Sequence, residues 1–349
     1  MNRIKLSIWF LTALGFISSC KKKEMNMDKS INVDYPAAYV VNGEDASISI
    51  INLTTGEVGA TVSIMGSNND MAMWPHHISS HMNHLAVGVP GMDLSEGHFA
   101  NSNMGMGGKL LVLDAQKGTI IKTIKLPSMN HNAIYSPDGS EIWIPQMDMD
   151  GKVLVYNAEN YSLTSTIAVG KMPAELTFSF DGSKAYVANG DDDNVSVIDV
   201  TSKSVISVIP VGDNPVGAWT GKDNKMYVDN EDGQSISVID VSTNKVIQTI
   251  PLGFMPGMVA HNQVKNELWV SDPMNSKIHY YSWNSGTWIP NGTLSTGLGA
   301  HAIAFTSDGA TAYITNQMAH TVSVVDVNTH AVTKSIPVGK KPNGLVIRM

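Results

Sequence analysis

The chain has 349 residues, 43% of them hydrophobic and 15% charged, so a sizeable core is available and a wholly disordered chain is excluded. A formal net charge of −8 argues against nucleic acid and anionic membrane surfaces as partners and modestly favours cations. The single cysteine, Cys20, excludes a disulfide framework, a thiolate metal site and a haem attachment motif.

Arg3 and Lys5 precede an apolar stretch at 6–17, which ends in Ile17-Ser18-Ser19 before Cys20. Basic, then briefly apolar, then small residues make an export signal over 1–19 rather than a spanning helix. The position of Cys20 resembles that in a bacterial lipoprotein signal. That resemblance implies that Cys20 is lipidated, and that the protein is anchored to the inner or outer membrane of a bacterial cell envelope, periplasmic or surface-exposed. Ile17 stands where such signals usually have leucine, so a plain secretory signal is the other reading. Residues 20–36 are polar and aperiodic and read as a tether.

From residue 37 to the C-terminus the chain reads as one domain built from a repeat. Its plainest copy lies at 173–217, where four short Val- and Ile-rich runs are separated by Asp181-Gly182, an acidic loop at 191–194 and Thr201-Ser202-Lys203. Alternating β-branched residues with such punctuation predict antiparallel strands joined by tight turns. The second strand recurs seven times, including Tyr39-Val40-Val41-Asn42, Ala185–Asn189, Met226–Asn230 and Ala312–Asn316. A period of about 42 residues with four strands in each is a β-propeller blade. The sequence therefore predicts an all-β, seven-bladed propeller. Through AYVAN…VSVIDV…VISVIPVG and AYITN…VSVVDV…TKSIPVG the chain resembles the YVTN family of propeller repeats, a likeness that speaks to fold more than to activity.

The chain enters the ring on a second strand at Tyr39, which leaves the first blade without its innermost strand. Residues 344–348 supply an orphan first strand, so the ring is expected to close by pairing both ends of the chain. Blade two carries an insertion at 90–109, rich in Gly, Met, Asn and Ser, of a length usually reserved for function or disorder.

Strand alternation places the loop into each first strand and the loop between the second and third strands on one face. Those loops hold fourteen of the 20 methionines and six of the 11 histidines. Methionine as a flexible core filler suits Met226, inside a strand, better than it suits Met147 and Met149 in a loop. Counting past the recurrent proline gives one residue per blade at the channel mouth: His77, His131, Glu175, Gly217, Met258, His301 and Gly344. The plain repeat has glycine there. Imidazoles converging from separate blades suit a metal, since each neutral ring offers one directed lone pair; hydrogen bonding of the same rings to backbone is the bland alternative.

The expected ligands are His77, His131 and His301, with Glu175 and Met258 as further ligands or supports. His76, His98, Met104, Met106 and His320 are accessory candidates, and a register slip of one residue would exchange His77 for His76. Mixed imidazole and thioether ligation favours copper, with zinc, iron and calcium remaining open; the aspartate run at 191–193 lacks calcium-loop spacing and reads as a solvated turn. The resemblance to the propeller of nitrous oxide reductase extends only to repeat type and histidines around an axis, and a cysteine-dependent second copper centre is ruled out. Three functions follow: metal handling or metal-dependent redox chemistry, a scaffold that binds a protein or polymer through its Met-rich face, and a lactonase- or lyase-like enzyme using axial acid–base groups.

Overall fold

The computed structural model describes residues 31–66, 71–95, 107–221 and 223–349. The export signal with Cys20, most of the tether, and His98, Met104 and Met106 of the insertion lie outside the described residues.

Seven four-stranded antiparallel sheets make up the propeller, each running from an innermost to an outermost strand. Blade two, for example, is Ile78–His81, His84–Val89, Lys109–Asp114 and Ile120–Lys125. Blade four is Pro173–Phe178, Lys184–Asn189, Asn194–Asp199 and Ser204–Pro210. The expected closure is present: strand β1 (Ala37–Asn42) pairs with β28 (Pro342–Arg348), the last strand of the chain, through partners such as Tyr39 with Val346 and Ala37 with Arg348. All 28 strands among the described residues are thereby paired within blades, and the first blade is sewn from Ala37–Asn42 and Pro342–Arg348.

Three recurrent polar positions explain why the repeat folds this way. An asparagine closes the second strand and donates from its amide to two hydroxyls on the third: Asn42 to Ser47 and Ser49, Asn230 to Ser235 and Ser237, Asn316 to Thr321 and Ser323, all at 2.9–3.1 Å. The amide N–H groups thus find acceptors inside the blade, while the buried Oδ1 atoms of Asn42 and Asn316 have no hydrogen-bond partner among the described residues. In the inner turns, Ser136, Ser179 and Thr306 donate to Asp138, Asp181 and Asp308 at 2.6 Å, and the following Gly139, Gly182 and Gly309 take positive φ. In the outer turns, Asp199, Asp240 and Asp326 accept from backbone N–H groups three residues on.

The core lies between blades. In every blade but the second, an aromatic residue of the second strand packs into the next blade: Tyr186 against Ala218, Met226 and Val228, Tyr227 against Leu268 and Val270, and Trp269 against Ala312 and Ile314. Tyr39 does the same to blade two and donates from its hydroxyl to the Ala115 carbonyl at 2.8 Å. Each sheet is thus buried on both faces by its neighbours, and the only positions left for chemistry are the loops at either end and the lining of the axis.

Candidate metal centre

The heads of the inner strands are irregular, and that irregularity builds the site. In blade four the ladder slips between Pro173 and Leu176, in blade five between Pro215 and Gly217, and in blade seven between Ala300 and Ile303. Each slip brackets or abuts one of the channel-mouth positions: Glu175, Gly217 or His301. In blade two, His76 donates its N–H to the Gly88 carbonyl while Gly88 donates to the His77 carbonyl, both at 2.9 Å. Two residues opposite one is the geometry of a β-bulge, which re-aims side chains that strict alternation would send to opposite faces. Both His76 and His77 consequently reach the axis, where a uniform register would admit one.

One side-chain nitrogen from each of His76, His77 and His131 lies within 4.8 Å of the other two, and all three residues are buried. The His76 ring centroid is 4.2 Å from that of His131 and 4.7 Å from that of His77. His301 completes the group at 5.6 Å from His76 and 6.0 Å from His77. Glu175, 1% exposed, sits beneath them. Its Oε1 accepts from His131 Nδ1 at 2.6 Å and from His77 Nε2 at 2.9 Å. One carboxylate oxygen therefore orients both imidazoles, and it leaves His77 Nδ1 facing away from the carboxylate. A carboxylate orienting two imidazoles in this way is the usual support of a metal-binding histidine.

Gly344 is required by close approach. A Cβ there would meet the His76 carbonyl and His77 Cα at 2.8 Å and His77 Nδ1 at 3.1 Å, so any side chain would crowd the nitrogen that Glu175 leaves available. The Gly344 N–H donates to the His76 carbonyl at 2.8 Å, which ties the closing strand to the histidine loop. Gly217 makes room in the same manner for two residues that sequence reasoning missed. The Trp219 indole, 5.9 Å from the His77 ring, donates to Asp229 Oδ1 at 2.5 Å, and the Gly217 N–H donates to Oδ2 at 3.2 Å. A signal for Asp229 exists: it occupies the repeat position held by Val41, Ala188, Ser271 and Thr315 in other blades, an acid where the plain repeat has no charge.

Full burial pushes the Asp229 carboxyl up to about 7, helped by the charges of Glu231 and Glu175 and opposed by the Trp219 hydrogen bond. A carboxyl raised on folding binds its proton more tightly in the folded state. The stability it contributes is present at low pH and lost as pH rises from about 4 through about 7. The melting temperature is accordingly expected to fall between pH 5 and pH 8, by an amount worth a few kcal/mol. Asp229→Asn should flatten that slope, and a wild-type melt insensitive to pH across this window would contradict the assignment.

The remaining candidates go elsewhere. Met258 Sδ accepts from the Ile303 N–H at 3.2 Å. His320 Nδ1 accepts from the Lys341 N–H at 3.1 Å and so stabilises a turn. The methionine face divides in two. Met129, Met147 and Met172 are buried with Leu94, Ala174 and Val216 in an apolar cluster on the loops that carry His131 and Glu175. Met65, Met71, Met73, Met149, Met255, Met274 and Met318 are exposed. The start of the insertion is held down by Lys341, whose ammonium pairs with Asp93 at 2.5 Å and donates to Ser95 at 3.1 Å, and this brings Leu94 onto the cluster.

Residues 142–344 match the family model of the Choice-of-anchor I domain. No curated protein matches the chain. Solved structures of the same fold include a functionally unknown protein from Desulfotomaculum acetoxidans, 13% identical over 89% of this chain and 98% of that one, with a TM-score of 0.70. The periplasmic gluconolactonase PpgL of Pseudomonas aeruginosa is 15% identical over 90% and 99%, with a TM-score of 0.68. The dihydro-heme d1 dehydrogenase NirN is 16% identical over 91% and 75%, with a TM-score of 0.61. At such identities the likeness is one of fold.

Proposed function

The chain belongs to the Choice-of-anchor I domain family, and from that premise we propose that it is a bacterial envelope propeller holding a transition-metal ion at one mouth of its channel. The observation that carries this reading is the set of three buried imidazoles, His76, His77 and His131, with one nitrogen of each within 4.8 Å of the other two, beside the buried Glu175. Neutral imidazoles in an apolar surround gain more from a cation than from water, and the Glu175 charge offsets part of the ion's own. The donors so gathered are nitrogens, with the Met258 thioether engaged by backbone. Copper stays first among the candidates because divalent copper tops the affinity order for nitrogen ligands, with zinc and iron next to be tested.

Elemental analysis after loading and desalting tests the proposal. One equivalent of copper or zinc per chain is expected, and a protein that emerges without metal overturns it.

The exposed methionines favour a second reading, in which this face docks a protein partner. Met274 and Met318 are 84% and 61% exposed, and thioether surfaces adapt to many partners. The two readings are compatible, since a partner seated there would cover the loops above the histidines.

Anchoring through Cys20 completes the proposal. No helix among the described residues is long and apolar enough to cross a membrane, so attachment in this reading rests on the lipid. Growth of an expressing bacterium with labelled palmitate should label the wild-type protein and leave Cys20→Ser unlabelled; equal labelling of the two would remove the anchor.

A further inference from the structure

Two cavities lie along the axis beneath the histidines. The smaller, about 80 Å³, is bounded by His77, Asn132, Glu175, Thr177 and Trp219. It has room for a few waters or one ligand of three or four atoms. The larger, about 370 Å³, runs past Met258 and Val259 to Val264, Ser307 and Gly309, residues in or beside the inner turns of blades six and seven. Those turns lie on the face opposite the histidine loops. Thr177 and Trp219 line both cavities, so these two side chains stand between them.

On the histidine side, Met129 and Met172, from the loops that carry His131 and Glu175, are buried with Leu94 and Met147 in an apolar cluster, each 2% exposed or less. His76 and His131 are each 2% exposed, whereas His77, the histidine that faces the smaller cavity, is 9% exposed.

We infer that exogenous ligands reach the metal from the opposite face, through the central channel, and that the Trp219 indole limits them to small anions or neutral molecules. The inference rests on the metal reading above. Trp219 suits the part because its side chain is pinned: the indole N–H is bound to Asp229 at 2.5 Å, and Gly217 leaves it space. A pinned ring between two cavities is a size filter. The class of ligand follows from the smaller cavity, which accommodates species such as azide or dioxygen and no sugar or aryl ester.

The copper-loaded full chain provides the test, with azide as the small probe and 4-phenylimidazole as the bulky one, each followed by the visible spectrum of the bound ion. Wild type should bind azide and ignore 4-phenylimidazole. Trp219→Ala should admit both. Thr177→Phe, which adds bulk between the cavities and leaves Asp229 paired, should slow azide binding about tenfold. Metal content and melting temperature are measured on each variant, so that a misfolded protein is recognised and Thr177→Phe then decides. Equal azide rates in wild type and Thr177→Phe, or binding of 4-phenylimidazole by wild type, overturn the route while leaving the metal site intact. A wild-type protein that takes up no metal removes both.

Discussion

Replacing His76, His77 and His131 together by alanine is expected to abolish stoichiometric metal binding while the propeller still folds. The three rings occupy loop positions at the heads of inner strands, outside the interblade cores that hold the sheets together, so their loss costs local packing and spares the repeat. Single replacements discriminate further. His131→Ala removes a nitrogen and also a partner of Glu175, and affinity should fall by more than about 100-fold, beyond what loss of a supporting residue costs. His301→Ala should do less, because its ring stands 5.6 Å and 6.0 Å from those of His76 and His77 and its nitrogens fall outside the tight triad. Glu175→Gln keeps the shape, and its carbonyl oxygen can still accept from both imidazoles, but it removes the negative charge that offsets the ion's own, and a loss of about 10-fold to 100-fold is expected. Competition against a chelator of known affinity measures all four. Should the triple variant retain one equivalent of metal, the ion is held elsewhere and the axial site is not its home.

The blades were legible because each repeat carries its own instructions. The closing asparagine, the Ser/Thr-x-Asp-Gly inner turn and the Asp-capped outer turn all lie within a few residues of the groups they satisfy, so local sequence determines local structure. The orphan strand at 344–348 was legible for the complementary reason, since counting strands leaves one short at the start and one over at the end. The axial ring was read from departures at a single repeat position, which found His77, His131, Glu175 and His301. What the count could not supply was the bulge opposite Gly88, which depends on hydrogen bonds between strands and brings in His76 as well as His77. Nor could it divide the methionines. Met129 and Met255 look alike in sequence, yet one is 2% exposed and the other 41%, a difference set by which loops meet Leu94. Asp229 lies on a second strand, away from the entry loops, and meets the inner strand only through the Gly217 N–H and the Trp219 indole, a pairing that no repeat position announces.

Removal of residues 345–349 is expected to have the largest effect on stability of any change confined to one strand. Strand β28 does not pair with the strand that precedes it in sequence, and supplies the inner edge of blade one by pairing with β1. Its loss strips Leu345 and Ile347 from the cluster they share with Ala38, Val40 and Tyr313, and it exposes the unpaired edge of β1, which invites pairing between molecules. Arg348 is lost as well, with its hydrogen bond to the Met82 carbonyl at 2.5 Å across to blade two. Together with Val346, which packs on the cluster between blades one and two, the partly buried Leu345 and Ile347 contribute about 3–5 kcal/mol, which for a domain of this size corresponds to a fall in melting temperature of about 5–8 °C. The same strand begins beside the histidine cluster, where Asn343 donates to the Pro75 carbonyl at 3.3 Å and Gly344 to that of His76 at 2.8 Å. Truncation should therefore weaken metal binding together with the fold. Gly344→Ala separates the two consequences: its Cβ would press on His77 while strand pairing stays in place, so metal affinity should drop more than the melting temperature does. Calorimetry of the truncated chain decides the first point, because an unchanged melt would mean that the ring is held shut by something other than its last strand.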